Sequence, residues 1–209
     1  MTKKDLKLIL VIGAAVGLLC QPILTNLVHG SAALAKLFGT SELSLNVRII
    51  FFLIFFICAP LALWILSVLS RIVPVLYQFG KFAAVGTLNS FIDVGILNVE
   101  ILLSGVPSGG AYYPIFKGIS FLSGTTNSFF WNKYWTFKAH EKKTVSETAK
   151  FYVFATVGFA LNVGAATLVV HFHPASNLWA NAGALAGIAA SFFWDFVAYK
   201  YFVFKKIDH

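Results

Sequence analysis

Charge is what this sequence has least of. Only 11% of its 209 residues are Asp, Glu, Lys or Arg, where a soluble domain carries roughly 25%. The few charges stand in short clusters separated by long apolar runs, and the mean hydropathy is +0.80. Such runs exclude an ordinary soluble domain, because only lipid accommodates them. Cysteine is scarce as well. Cys20 and Cys58 both lie inside apolar runs, without C-x-x-C spacing or a nearby histidine cluster, so neither a disulfide nor a zinc site is indicated. Nor is there an Asp-x-Asp on a loop, a metal-ligand cluster or room for a nucleotide-sugar domain. The chain is therefore not read as an enzyme; no catalytic residue, metal or cofactor is assigned.

Positive charge is present, at a net +8, and its placement excludes nucleic acid as the partner. The lysines stand at the ends of apolar runs rather than along one face, as topology signals and headgroup contacts do. Six segments predict membrane-spanning helices, at about 6–28, 48–70, 79–104, 112–137, 149–172 and 178–204. The first continues past the h-region of a signal peptide, through Leu27 and Val28, and is read as a span. One side of the membrane holds Lys3, Lys4, Lys7, Arg71, Lys81, Lys133, Lys138, Lys142, Lys143, Lys150, Lys200, Lys205 and Lys206. The other holds little beyond Lys36 and Arg48. The positive-inside rule makes the first side cytoplasmic and puts both termini there.

The last four spans contain an internal repeat. Shifted by 67 positions, Ser128–Lys138 lies over Asp195–Lys205 with five of eleven residues identical. Shifted by 69, Lys81-Phe82 lies over Lys150-Phe151, Asp93 over Asn162 and Gly95 over Gly164. Each unit has two spans, so the copies run in the same direction. The expected fold is all-α: a polytopic membrane protein of about six transmembrane helices, the last four forming two parallel-repeat hairpins. Residues 1–75 form an additional N-terminal hairpin. Residues 76–209 form a four-helix domain, with repeat 1 at 79–138 and repeat 2 at 149–206.

The basic-Phe start, the Gly and Asn within the next helix, and Phe129–Phe137 at the end of the following one resemble the GtrA-like family. Asn132 and Lys133 stand at the family's Asn-Arg positions, Ser128 stands where an Asn is common, and the resemblance covers about 78–206. It implies a bacterial cytoplasmic (inner) membrane protein that translocates a polyprenyl-phosphate-linked monosaccharide for cell-surface polysaccharide glycosylation. The alternative is a non-transporting anchor that recruits a polyprenyl-phosphate glycosyltransferase through the loop around 140–150. A homo-oligomer is compatible with either.

Two polar stripes carry the candidate chemistry. Gly86, Asn89, Asp93 and Glu100 share one face of the third helix. Asp93 falls mid-helix, where a carboxylate costs about 2.5–3.5 kcal/mol to insert and faces a cavity or a partner rather than lipid. Lys117, Ser120, Gly124, Asn127, Trp131 and Tyr134 form the second stripe, on the fourth helix. Lys117 either pairs with Glu100 or snorkels outward. Sugar hydroxyls suit amides and carboxylates, and ring faces suit Trp131 or Trp194. The expected headgroup-binding set is Asn89, Asp93, Asn127, Trp131, Asn132, Asn162 and Asp195, with Lys133 and Lys200 for the phosphate. The structural alternative is interhelical hydrogen bonding for the polar set and interfacial anchoring for the lysines. Gly183 and Gly187 predict a close-packed helix face; His171 and His173 are read as interfacial.

Overall fold

A computed structural model describes residues 1–30, 36, 43–105, 113–139, 145–171 and 177–204. Six α-helices account for most of them: α1 (Lys3–Gly30), α2 (Leu45–Leu69), α3 (Val75–Ser104), α4 (Tyr113–Trp131), α5 (Val145–His171) and α6 (Asn177–Ala198). No strand occurs among the described residues. By length and composition α1, α2, α3 and α5 can cross a membrane. The other two helices, α4 and α6, pack along α3 and α5 respectively. Along α2, Ile50, Leu53, Ile57, Leu61, Trp64 and Ile65 are exposed, an apolar surface that water does not tolerate and lipid does. The chain is an all-helical polytopic membrane protein.

Two compact units divide the chain. Met1–Trp131 holds α1 to α4, and Asn132–His209 holds α5 and α6. In the first, α1 packs on α2 and α3, and α4 packs on α3. The approach of α1 to α2 requires glycine: a Cβ on Gly13 would stand 2.8 Å from the Phe55 carbonyl oxygen, and one on Gly17 3.0 Å from that of Phe52. In the second, Phe137, Phe151, Tyr199 and Phe204 form a buried aromatic cluster, with ring centroids 4.6 Å apart for Phe151–Tyr199 and 5.5 Å for Phe137–Phe204.

The helix boundaries follow the apolar periodicity, with one departure of kind. The segments ending near 137 and 204 do not finish as α-helix. Each closes in a five-residue π-helical turn, Asn132–Thr136 and Tyr199–Val203, at positions the repeat makes equivalent. Phe137 N–H donates to the Asn132 carbonyl oxygen at 2.9 Å, and Phe204 N–H to that of Tyr199 at 2.8 Å. The extra residue in the turn brings Phe137 and Phe204 round to the same cluster. After the first π turn Lys138 takes a left-handed conformation (φ 54°) and the Ala139 N–H caps the Lys133 carbonyl oxygen.

Candidate functional site

The stripes of α3 and α4 face each other along one seam. Ser120 Oγ donates to Asp93 Oδ1 at 2.7 Å, Asn127 Nδ2 to Asn89 Oδ1 at 2.7 Å, and Trp131 Nε1 to Asn127 Oδ1 at 3.1 Å. Gly124 lies between these rungs; a Cβ there would stand 3.0 Å from the Asn89 carbonyl oxygen. Asn89, Asp93, Asn127 and Trp131 are thus gathered into one hydrogen-bonded ladder. Glu100 Oε2 is buried and has no hydrogen-bond partner among the described residues; the side chain of Lys117 lies outside what is described.

Between α5 and α6 the repeat rebuilds this seam with a rearrangement. Asn162 Nδ2 donates to Ser191 Oγ at 3.2 Å, and a Cβ on Gly187 would stand 2.5 Å from the Asn162 carbonyl oxygen. Repeat 1 has Ser120 then Gly124; repeat 2 has Gly187 then Ser191. Hydroxyl and glycine have exchanged places by one turn. Nearer the π turn, the Asp195 carboxylate packs against Gly158 of α5. Its Oδ1 is buried and has no hydrogen-bond partner among the described residues. Trp194 does not cover it with a free indole, since its Nε1 donates to the Phe154 carbonyl oxygen at 3.0 Å.

Of the two lysines expected to meet phosphate, the first is already engaged. Lys133 is fully buried, with Nζ 2.5 and 2.7 Å from the two Glu147 carboxylate oxygens. Asn132 beside it is also buried. Lys200, its equivalent, is half-exposed and lies over the rings of Phe196 and Tyr201, 5.7 and 5.3 Å from their centroids. It forms no ion pair among the described residues.

Two carboxylates that hold buried lysines escaped the sequence reading, Asp5 and Glu147. Asp5 Oδ1 accepts from Lys81 Nζ at 2.6 Å, and Oδ2 accepts from Tyr77 and Thr2 hydroxyls at 2.8 and 2.7 Å. The Asp5 N–H in turn donates to Thr2 Oγ1 at 3.1 Å, one half of a helix N-terminal capping box. Both carboxylates stand in a first helical turn, where the helix dipole favours them. That placement was the available signal. Between α1, α2 and α3 lies a cavity of about 260 Å³ lined by Ile9, Val16, Phe55, Leu63, Leu66 and Ala84 among others, too apolar for a sugar. His171 is exposed; His173, Gly183's surroundings and the 140–144 part of the loop lie outside the described residues.

A duplicated transmembrane hairpin, each copy sealed by a polar seam and closed by a π turn above a lysine-rich end, defines a class of small helical membrane proteins. Residues 81–204, more than half of the chain, match the family described as GtrA/DPMS, transmembrane domain, and the protein belongs to that family. No curated protein and no solved structure gives a significant match to the chain.

Proposed function

We propose that the protein translocates a polyprenyl-phosphate-linked monosaccharide across the bacterial cytoplasmic membrane, and that the second hairpin takes up its headgroup. Membership of the GtrA/DPMS family supports a role with glycosyl lipids. The observation that carries the reading is Asp195. A carboxylate oxygen buried at helix depth without a donor is costly, and sugar hydroxyls are donors of the right kind. Lys200, five residues along the same helix and its π turn, has no carboxylate partner among the described residues and is the cation available to the phosphate. Asn162 supplies an amide from the facing helix. In the first seam Asn89, Asp93 and Asn127 are instead bonded to one another's helices. The lysine-rich ends face the cytoplasm, where the lipid-linked sugar is loaded.

Liposomes containing only this protein test the reading. Labelled polyprenyl-phosphate monosaccharide should cross to the far leaflet, and Asp195→Asn or Lys200→Gln should slow it without changing insertion. Wild-type rates in both variants would refute the assignment.

The closed α3–α4 seam favours a second reading, a membrane anchor that holds a glycosyltransferase and moves nothing. Under it, no labelled lipid crosses in the absence of that enzyme, and the enzyme's activity follows its recruitment.

A further inference from the structure

The two repeats differ in what covers them. On α3, Lys81, Leu88 and Gly95 stand at seven-residue intervals on one face, and all three are buried, Lys81 at 2% and Leu88 at 3% exposed. Their cover is α1. Asp5 meets Lys81, and Leu19 meets Gly95, where a glycine Cβ would stand 3.1 to 3.3 Å from Leu19 atoms. Asp5 and Leu19 are separated as Lys81 and Gly95 are, so α1 runs parallel to α3 and in register, with Ile12 level with Leu88. On α5 the equivalent positions are Lys150, Val157 and Gly164, again at seven-residue intervals. All three are exposed, Val157 at 37%, and nothing among the described residues stands within 4 Å of a Cβ on Gly164.

We propose that this face of α5 is the docking seam for a transmembrane helix of a partner protein. The helix runs parallel to α5, with a carboxylate in its first turn and a bulky apolar residue two heptads on. The duplication supplies the argument: the same three positions, in the same spacing and the same charge, already bind such a helix on α3. Three features must be met together. Lys150 asks for an acid at one end, Gly164 for a close backbone at the other, and Val157 for an apolar residue between. A second copy does not meet them symmetrically, because a parallel α5–α5 pair would set Lys150 against Lys150. An anionic lipid answers Lys150 alone. The proposal holds for a translocase and for an anchor, so it stands or falls apart from the proposed function.

A peptide of residues 1–30 is a defined probe, since α1 is long and apolar enough to span. The full chain, carrying Cys20→Ser, Cys58→Ser and Val157→Cys, is placed in liposomes with the peptide bearing Cys20→Ser and Ile12→Cys. Under mild oxidation the two introduced thiols should join. Lys150→Glu in the chain should lower the yield about tenfold, as loss of roughly 1.4 kcal/mol does, and Asp5→Lys in the peptide should restore it. Joining that ignores both charge reversals overturns the proposal, as does chain-to-chain disulfide through Val157→Cys in place of peptide capture. So does absence of joining while the peptide is helical by circular dichroism and the chain keeps its thermal midpoint; the face is then covered by lipid only.

Discussion

Asp5 and Lys81 stand 76 positions apart in sequence and 2.6 Å apart in the structure, each about 95% or more buried. The pair ties the N-terminal hairpin to the first residue of the family match. Neither charge is solvated, so each depends on the other. Asp5→Ala should destabilise the first unit by about 3–5 kcal/mol, because it strands the Lys81 ammonium. The double variant Asp5→Leu, Lys81→Met should recover most of that. Thermal midpoints in detergent, arranged as a double-mutant cycle, read the difference directly.

The seam glycine and the face glycine should behave oppositely. Gly124→Val forces α4 away from the Asn89 carbonyl and should cost about 1–3 kcal/mol by overpacking. Gly164→Val places its Cβ beyond 4 Å of any described residue and should leave the thermal midpoint unchanged. Equal effects from the two would contradict the packing described.

Lys133 and Lys200 occupy equivalent places and should not be equivalent in effect. Lys133→Ala leaves Glu147 without its cation and should lower stability by about 3–5 kcal/mol. Lys200→Ala removes ring contacts of about 0.5–1 kcal/mol each and should act mainly on transport. Limited proteolysis and the liposome assay separate the two outcomes.

Asp93→Ala loses one interhelical hydrogen bond to Ser120, a loss of about 0.6 kcal/mol and at most about 1.7. Insertion should persist with a slightly lower thermal midpoint. If its liposome transport falls as far as that of Asp195→Asn, the first seam takes part in transport as well.

The helices, their apolar length and the duplication were legible because they depend on the length of apolar runs and on residues repeated at a constant shift. So was the gathering of Asn89, Asp93, Ser120 and Asn127, since each stripe occupies one face. What faced each stripe was not legible. Whether Asp93 met a cavity or the Ser120 hydroxyl depended on how near Gly124 lets the helices come. Asp5 and Glu147 looked like ordinary first-turn acids, and only tertiary docking set them against Lys81 and Lys133. The π turns left no mark in hydropathy, because one additional residue per turn changes which face Phe137 and Phe204 occupy without changing their character.

The one-turn displacement of the serine hydroxyl between the copies has an evolutionary reach. Were α6 grafted opposite α3, Ser191 would bring a Cβ to about 3.0 Å from the Asn89 carbonyl oxygen, and Gly187 would remove the hydroxyl that Ser120 gives Asp93. Since diverging, each hairpin has become specific for its own halves, so recombination between the duplicates yields mismatched partners. A gene built by shuffling them should produce a chain that inserts and fails to pack.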